Sequence, residues 1–415
     1  MNGCGMANDA DLVVVGSGAA GLAAAVTAAW HGLSVTVIEK DAVIGGTSAW
    51  SGGWIWAPCN PLAQRAGIVE SPMQPRAYLQ AVLGNRFDEA RVDAFLTASP
   101  QMLEFSERNT DLAFEGGLAI PDTYGHLPGA GTGGRAVIAA PYDARRLGKH
   151  LALLRHPMRE TSFHGMPIQA GTDLRAFMPM TLSGGSFLHV AGRAARHVRD
   201  LVVAGRGLDL RNGNALIARL LKSAIDLGVE IRARCAIASL DLDAGHVRGV
   251  RLATGSMIRA RHGVVLACGG SPHDRERRAA TFPRDSEHRS LAVASATGDG
   301  LRLAEDAGAL IGRDVDNPAA CCPVSVVAWP DGTEGIFPHI IDRGKPGVVG
   351  VLADGRRFCN EGLGYHDYVL ALLAAVPQRQ PARSWLVCDH RFLRRYGLGV
   401  VRPRPLPWQG WLKRG

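Results

Sequence analysis

The sequence predicts an α/β fold, because two strands with a glycine-rich turn and a helix between them stand near the amino terminus. Residues 11–15 and 34–38 are the predicted strands, and the alanine-rich helix between them runs to about Trp30. A third strand is predicted at residues 263–267, where a continuous apolar run is followed by small residues. Continuous apolar strands are typical of a parallel sheet that is buried on both faces.

The turn after the first strand has the spacing of a dinucleotide-binding site. Gly16 permits the tight turn, Gly18 lets the backbone approach a pyrophosphate, and Gly21 lets the helix pack close to the strand. The N-terminus of the helix offers N–H groups and a positive dipole to the phosphates. The second strand ends in Glu39, whose carboxylate can accept hydrogen bonds from ribose hydroxyls and disfavours a 2′-phosphate. The pattern predicts that the chain binds a dinucleotide.

The segment after Glu39 favours a flavin over a nicotinamide. Residues 44–53 contain two Gly–Gly pairs that flank small hydroxyl residues. Such a segment forms a cradle lined by backbone, with few side chains to block a large planar ring. An ordinary flexible turn is the alternative at this position. No histidine lies within the segment, so a covalent flavin is not expected.

At these residues the chain resembles the flavoprotein family of fumarate reductases and 3-ketosteroid Δ1-dehydrogenases. The segments that carry the resemblance, in the family's order, are 16–21, 39–40, 45–48, 212–216, 267–270, 298–300 and 357–361. The resemblance implies a Rossmann-like FAD-binding domain of the glutathione-reductase type at residues 9–270, with an inserted α+β substrate-capping domain at residues 271–397. The residues expected to contact non-covalent FAD are Gly16, Gly18, Ala19, Ala20, Gly21, Glu39, Lys40, Gly45, Gly46, Thr47, Ser48, Ser51, Gly52, Gly53, Ala236, Ala267, Gly269 and Asp299.

The same resemblance implies a catalytic tyrosine in the capping domain. In fumarate reductases an arginine closely follows the Asn-Glu pair, whereas Gly364 and Tyr365 stand in that region here. Ketosteroid Δ1-dehydrogenases carry a tyrosine four residues after the glutamate, as Tyr365 does after Glu361. By resemblance, Tyr365 removes the C2 proton while the C1 hydride passes to flavin N5. Glu361 and Arg357 are expected to organise the wall beside the flavin.

A second tyrosine is expected to help this proton transfer, because a phenol with an ordinary pKa of about 10 is a weak base at pH 7. Tyr124 lies in the matching loop of the family. A packed, hydrogen-bonded core tyrosine is the alternative for both Tyr124 and Tyr365. His339, Arg343 and His366 could contact a substrate carboxylate, with surface or structural roles as the alternative.

The composition indicates a globular protein and excludes several other classes. With 415 residues, 47% hydrophobic and 20% charged, the chain can bury a large core and is expected to form two domains. The net charge of +8 does not indicate nucleic-acid binding, because the arginines are scattered or lie beside acidic residues. The 14 histidines form no cluster and the eight cysteines have no metal-ligand spacing, so no metal site is expected.

The sequence also predicts a cytoplasmic protein without a transmembrane segment. Residues 12–30 are nearly all apolar, but Asp9, Asp11 and the embedded glycine turn argue against a signal peptide or a membrane span. No C-x-x-C pair is present, and reduced thiols in a cytoplasm are the simplest account of the cysteines.

Periodicity predicts further helices and strands. Helices are expected at 74–108, 186–200, 214–227 and 299–308, and strands at 229–240 and 246–253. The two strands suggest a small antiparallel layer before the strand at 263–267. Asn214 is the expected N-cap of its helix and Gly228 the expected stop. Residues 111–185 are expected to be rich in loops.

Residues and resemblance together favour an FAD-dependent dehydrogenase acting on CH–CH groups, with a hydrophobic ketone as substrate and an external electron acceptor. The alternatives are a reductase of α,β-unsaturated acids and a truncated remnant that keeps only nucleotide affinity. The chain ends at Gly415 whereas family members continue, so residues 398–415 are expected to be a truncated tail. In the family, the C-terminal portion that follows this point completes the sheet and polarises the C3 carbonyl of the substrate. Without it, weak FAD binding and poor turnover are expected.

Overall fold

Strands and helices are distributed over the whole described part of the chain. The computed structural model describes residues 9–403 except 179, 181–182, 283, 285–287, 313–314, 316 and 318. The strands are β1 (Ala10–Val15), β2 (Val35–Ile38), β3 (Trp54–Trp56), β4 (Phe114–Gly116), β5 (Ala136–Ala139), β6 (Tyr142–Asp143), β7 (Ser162–Phe163), β8 (Met166–Pro167), β9 (Asp209–Leu210), β10 (Glu230–Arg232), β11 (Ile237–Asp243), β12 (His246–Leu252), β13 (Met257–Leu266), β14 (Val324–Ala328), β15 (Glu334–Pro338), β16 (Val348–Val351) and β17 (Trp385–Cys388). The α-helices are α1 (Ala19–Trp30), α2 (Pro61–Arg65), α3 (Met73–Leu83), α4 (Glu89–Asn109), α5 (Thr172–Phe177), α6 (Gly184–Ala204), α7 (Asn212–Asp226), α8 (Arg275–Thr281), α9 (Asp299–Asp306), α10 (Tyr365–Ala375) and α11 (His390–Tyr396). Residues 404–415 of the predicted tail lie outside the described residues.

The chain forms two compact units, each assembled from three segments. The segments of the first unit are Met1–Pro157, Leu208–Ala280 and Ala292–Asp314. The segments of the second unit are Met158–Gly207, Thr281–Leu291 and Val315–Gly415. This division differs from the predicted boundary after residue 270, because residues 158–207 belong to the second unit and residues 292–314 to the first.

Contacts between distant segments account for this difference. In the second unit, the Glu160 carboxylate accepts a hydrogen bond from Trp329 Nε1 at 3.2 Å. In the first unit, Lys40 Nζ lies 2.5 Å from Asp299 Oδ2. Each contact joins residues that are more than 150 positions apart. The composition of a single segment therefore does not show which unit it enters.

The central sheet of the first unit has six strands in the order β10–β2–β1–β13–β12–β11. β10, β2, β1 and the end of β13 run parallel, and Val14 of β1 lies between Val37 and Val265. β13, β12 and β11 run antiparallel. The parallel strands and an antiparallel layer were predicted, but the strand expected at 229–240 is two strands: β10 pairs parallel with β2, and β11 pairs antiparallel with β12. β13 begins earlier than predicted, because its first half alternates buried and exposed residues as it pairs with β12.

The helix α7 lies in the core of the first unit and is buried over most of its surface. It begins at Asn212, with Arg211 in the N-cap position, so the prediction of Asn214 as N-cap is wrong. Asn214 lies inside the first turn, and its Nδ2 donates to the Arg155 carbonyl at 2.7 Å. Gly228 follows the end of the helix with a φ of +74°, as a helix stop requires.

Other regions depart from the predicted elements in detail. The helices expected within residues 74–108 are α3 and α4, which are separated by a break that starts at Gly84. The region 111–185, expected to be rich in loops, also contains the strands β4–β8, α5 and a 3₁₀ segment at Ala144–Leu153. Among the described helices, none is both long and apolar enough to cross a lipid bilayer.

Arg219 of α7 is a buried arginine that hydrogen-bonds to three backbone carbonyls. Nε donates to Ala140 O at 3.0 Å, Nη1 to Asp111 O at 2.6 Å and Nη2 to Pro141 O at 2.9 Å. The guanidinium also lies 5.1 Å from the centre of the Tyr142 ring. The arginine therefore satisfies carbonyl groups of the connection between β5 and β6 that would otherwise lack a donor.

Arg219→Met should lower the free energy of unfolding by about 3 kcal/mol or more, because it leaves buried carbonyl groups without a donor. Urea-induced unfolding followed by circular dichroism measures the change. Lys222→Met on the same helix is the matched control, because Lys222 pairs with the exposed Asp226. The control should cost less than about 1 kcal/mol. Equal effects of the two substitutions would contradict the role given to Arg219.

Candidate functional site

A cavity opens at the carboxyl edge of the parallel strands in the first unit. Its volume is about 410 Å³, within the range of roughly 300–1,000 Å³ that is common for small-molecule sites. Twelve of the predicted FAD contacts line it: Gly16, Gly18, Ala19, Ala20, Glu39, Lys40, Gly46, Thr47, Ser48, Ala267, Gly269 and Asp299. Ligands of open α/β sheets bind at this edge, so the cavity lies where a dinucleotide is expected.

The three glycines of the turn have the geometry that their predicted roles require. Gly16 has a φ of +102°, and a Cβ there would lie 2.3 Å from the Ala267 carbonyl oxygen. A Cβ on Gly21 would lie 1.9 Å from the Gly16 carbonyl oxygen, so only glycine lets α1 approach β1 this closely. A Cβ on Gly18 would meet only Ser48 Oγ, at 3.4 Å. The N-terminus of α1 is therefore open toward the cavity.

Hydrogen bonds hold the carboxylate of Glu39 at the end of β2. Its Oε2 accepts from the Ser17 N–H at 3.1 Å and from the Ser17 hydroxyl at 2.6 Å. Its Oε1 accepts from the Asp41 N–H at 2.8 Å. Ser17 Oγ also accepts from the Gly45 N–H at 3.1 Å. Sequence reasoning missed Ser17, although a small hydroxyl residue between two glycines of the turn was an available signal.

Lys40 and Asp299 form an ion pair on the wall of the cavity. Lys40 Nζ lies 2.5 Å from Asp299 Oδ2 and donates to Thr297 Oγ1 at 2.6 Å. Burial alone would raise the pKa of Asp299, but the hydrogen bonds from Lys40 and Thr297 outweigh it and hold the pKa below its ordinary value. Asp299 is therefore a carboxylate at neutral pH, at the N-terminus of α9 where a negative charge is favourable.

Cys268 lines the cavity as an unreactive thiol. Its Sγ lies 3.6 Å from the Val15 carbonyl oxygen. Burial, together with the negative charges of Asp299 and Glu39, raises the pKa of the thiol to about 11. The group stays protonated at neutral pH and is not a nucleophile.

The predicted cradle divides into two parts. Residues 46–48 line the cavity, and Ser48 Oγ accepts a hydrogen bond from the Ala19 N–H at 3.1 Å. Gly53 lies against α7 instead, because a Cβ there would be 2.5 Å from the Asn212 carbonyl carbon. Gly53, the last residue of the second Gly–Gly pair, therefore permits close packing between the cradle and the start of α7.

The remaining predicted contacts do not line the cavity: they are Gly21, Gly45, Ser51, Gly52, Gly53 and Ala236. Ala236 is exposed, and its carbonyl accepts from the Ala253 N–H at 2.8 Å. Its neighbours Cys235 and Ile237 line the cavity instead. Ser295, which sequence reasoning also missed, enters the lining from a segment that has no local ligand-binding pattern.

In the second unit, Glu361 is the centre of a buried hydrogen-bond network. Its Oε1 accepts from the Gly350 N–H of β16 at 2.8 Å and from Arg357 Nε at 3.0 Å, and its Oε2 accepts from Arg357 Nη2 at 2.5 Å. Burial alone would raise the pKa of Glu361, but the hydrogen bonds from Arg357 and Gly350 outweigh it and lower the pKa. Glu361 is therefore a carboxylate that fixes the segment before α10.

Arg343 is buried beside this network and is only 3% exposed. Its Nε donates to His339 O at 3.1 Å, and its Nη1 donates to Glu361 O. The guanidinium lies 5.7 Å from the centre of the Tyr368 ring. Burial lowers the pKa of Arg343. The side chain thus joins the segment at residues 339–343 to the segment that precedes α10.

The two predicted catalytic tyrosines belong to different units. Tyr365 is the first residue of α10, and its side chain is partly exposed, at 37%. Within the described residues, no hydrogen bond to its hydroxyl is found. Tyr124 lies in a loop of the first unit, where its backbone N–H donates to Tyr78 Oη at 3.3 Å. Tyr365 therefore does not have the packed, hydrogen-bonded surroundings that a core tyrosine would have.

The loop that carries Tyr124 is anchored by Asp122. The Asp122 carboxylate accepts from Trp56 Nε1 at 2.7 Å and from the Gly131 N–H at 2.8 Å. It also pairs with the buried guanidinium of Arg135. These contacts give the loop a defined conformation in the first unit.

Comparison with known proteins agrees with a dinucleotide site in this cavity. The family described as FAD binding domain matches residues 11–399. The chain belongs to this family. A 4-oxocyclohex-2-ene-1-carboxylate 5-dehydrogenase of Sinomonas cyclohexanicum is 35% identical over 413 residues, which cover 98% of this chain and 69% of that protein. A 3-oxosteroid 1-dehydrogenase of Mycobacterium tuberculosis is 31% identical over 422 residues, which cover 98% of this chain and 72% of that protein.

A solved structure supports the same assignment to the FAD binding domain family. The 3-ketosteroid Δ1-dehydrogenase of Sterolibacterium denitrificans, in complex with 1,4-androstadiene-3,17-dione, has a TM-score of 0.84 and 30% identity. The match covers 95% of this chain and 71% of that chain. FAD is therefore the cofactor, and the chain is an FAD-dependent dehydrogenase acting on CH–CH groups. The predicted resemblance, fold class, cofactor and enzyme class are confirmed.

The residues of the cavity fit FAD. The first turn of α1 faces the cavity, where its N–H groups and dipole can hold phosphates. Glu39 stands at the end of β2, where an acidic residue binds ribose hydroxyls. Residues 46–48 and 267–270 surround the remaining space with backbone and small side chains. We therefore propose these residues as FAD contacts. Within the described residues no cluster of metal-ligating side chains is found, and the prediction of no metal site stays a prediction.

Gly21→Ala should reduce FAD binding to less than about a tenth of the wild-type level, because the added methyl group forces α1 away from the turn that holds the phosphates. Titration of the purified chain with FAD, followed by flavin absorbance near 450 nm, measures the change.

Gly192→Ala on α6 is the control for adding a methyl group to a helix. A Cβ at Gly192 would meet no atom within 4 Å, so this variant should bind FAD as the wild type does. Unchanged FAD affinity in Gly21→Ala would show that the contact between α1 and the turn does not control the cofactor site.

Proposed function

We propose that the chain is a 3-ketosteroid Δ1-dehydrogenase-like enzyme, which removes two hydrogens from adjacent carbons beside a ring ketone. The observation that carries the proposal is the placement of Tyr365. Its partly exposed side chain begins α10 four residues after the anchored Glu361. The names of both relatives above specify ring ketones, an oxocyclohexene carboxylate and a 3-oxosteroid. A hydrophobic ring ketone is therefore the proposed substrate class.

In this proposal Tyr365 takes the proton from the carbon next to the ketone, at its phenol oxygen. When bound, FAD supplies the acceptor for the hydride of the neighbouring carbon. Glu361, held by Arg357 and by the Gly350 N–H, fixes the backbone before α10, so Tyr365 is positioned before the substrate binds. Tyr124 keeps the role that the resemblance implies, which is to help the phenol lose its proton.

The alternative, a reductase of unsaturated acids, needs cationic side chains that are available to a substrate carboxylate. Arg343 instead donates to two backbone carbonyls of the second unit. Both ring nitrogens of His339 are hydrogen-bonded within the unit. His366 Nδ1 accepts from the Cys321 N–H at 3.0 Å. The candidates for carboxylate binding thus have other partners, which favours the dehydrogenase.

The purified chain, supplied with FAD and an electron-accepting dye, should oxidise a neutral 3-ketosteroid in preference to a 4-oxocyclohexane carboxylate and should not reduce fumarate. The dye replaces the external electron acceptor that we propose, and its bleaching measures turnover. Fumarate reduction without ketone oxidation would favour the reductase. FAD binding without turnover of any of the three compounds would favour a non-catalytic remnant.

Tyr365→Phe should lower kcat for the ketone by at least about a hundredfold, since general acid–base groups contribute about 10²–10⁴. FAD content should stay unchanged, because Tyr365 does not line the cavity of the first unit. The dye assay and the flavin absorbance near 450 nm measure the two quantities.

Tyr396→Phe on α11 removes the same hydroxyl group elsewhere in the second unit and serves as control. It should retain the wild-type kcat. A Tyr365→Phe variant that keeps more than half of the wild-type kcat would exclude Tyr365 as the base.

A further inference from the structure

Three side chains of the second unit form a hydrogen-bonded series that the proposed dehydrogenase does not use. Ser325 Oγ lies 2.7 Å from His339 Nε2, and His339 Nδ1 lies 2.8 Å from Asp342 Oδ2. Ser325 belongs to β14, and His339 follows the paired strand β15. A hydroxyl, an imidazole and a carboxylate in this order form the arrangement that activates a serine nucleophile.

The carboxylate of Asp342 is held in its charged form. Its Oδ1 accepts from the Arg343 N–H at 3.0 Å, and its Oδ2 accepts from the Gly399 N–H at 2.9 Å. Burial alone would raise the pKa of Asp342, but the contact with His339 and these two backbone donors outweigh it and lower the pKa. Asp342 is therefore ionised at neutral pH.

The ionised carboxylate determines the direction of the hydrogen bonds. An ionised carboxylate only accepts, so His339 Nδ1 must carry the proton that faces Asp342. In the neutral imidazole the Nε2 lone pair then faces Ser325 Oγ, and the hydroxyl donates to it. This is the tautomer in which histidine acts as a general base toward serine.

Ser325 is accessible, whereas the imidazole is sheltered. Ser325 is exposed on β14, and His339 is only 5% exposed. The Phe337 ring packs on His339 with 5.2 Å between ring centres. The next two residues, Ile340 and Ile341, are 47% and 50% exposed. Exposed apolar side chains that directly follow the general base in the chain suit a substrate with a short apolar group.

We propose that Ser325, His339 and Asp342 form a second, flavin-independent site that hydrolyses short apolar carboxylic esters. Ser325 Oγ attacks the ester carbonyl and forms the acyl–oxygen bond, while its proton passes to His339 Nε2. The bond to the leaving alkoxide breaks, and the alkoxide takes that proton. Water then attacks the acyl-serine with His339 as base, which releases the acid and restores the hydroxyl. No oxidant or reductant is needed.

Reaction of the full FAD-loaded chain with a fluorophosphonate probe tests the site directly. The probe loses fluoride and forms a covalent bond to an activated serine oxygen. Intact mass should show one adduct per chain, and peptide mapping should place it on Ser325. This readout needs no variant and does not depend on dehydrogenase activity, so it can fail or succeed independently of the proposed function.

Variants then test the roles of the three residues. Ser325→Ala should abolish the adduct and lower p-nitrophenyl acetate hydrolysis at least about tenfold, and His339→Gln should slow labelling of Ser325 by a similar factor. Ser256→Ala is the control, because Ser256 is an exposed serine outside the series. It should label and hydrolyse as the wild type does.

Three outcomes would overturn the proposal. They are the absence of an adduct in the wild type, an adduct only on other residues, and wild-type hydrolysis in a folded Ser325→Ala variant. In each case the series would only satisfy the hydrogen bonds of a buried histidine. Circular dichroism and FAD content establish that each variant is folded.

Discussion

The close approach of α1 to β1 is the constraint on which the cofactor cavity depends. The Gly16 carbonyl oxygen occupies the place that a Cβ of Gly21 would need. This contact brings the N-terminus of α1 to the ends of β2 and β13, so that Glu39 and Ala267 lie at one edge of the sheet. A side chain at Gly21 would separate the helix from the strand. The cavity therefore follows from the packing of backbone on backbone, and the ligand contacts depend on it.

Helices and strands that have a local sequence signal could be predicted. For this reason the predicted and observed bounds agree for the first three elements, β1, α1 and β2. Their bounds follow from an apolar run, a glycine turn and an alanine-rich helix, each visible within a few residues. The start of α7 was predicted two residues late, because Asn214 has the side chain of an N-cap. Its amide instead donates to the Arg155 carbonyl, a partner that is distant in the sequence. Tertiary contacts therefore determine where α7 begins, because the local sequence preference is ambiguous there.

Long-range contacts also explain which parts of the candidate site could not be predicted. Gly53 was assigned to the flavin cradle because Gly–Gly pairs suit a planar ring, yet its missing side chain makes room for Asn212. Ser295 enters the cavity from a segment that was assigned to the other domain. Glycine and serine are used for packing as well as for binding, and a sequence pattern does not distinguish the two uses. Asp299, in contrast, was predicted by resemblance and does line the cavity.

The buried Arg343 connects two hydrogen-bonded clusters of the second unit, the one formed by Ser325, His339 and Asp342 and the one around Glu361. Arg343 donates to the carbonyl of Glu361, which precedes α10, and to the carbonyl of His339. A buried guanidinium is costly unless its hydrogen bonds are kept, so the two segments are expected to move together. Loss of Arg343 would therefore disturb both clusters and could not separate their functions. Substitutions at the ends of the clusters can separate their functions. The Ser325 hydroxyl belongs to the first cluster and contacts His339, whereas Arg357 belongs to the second and contacts Glu361.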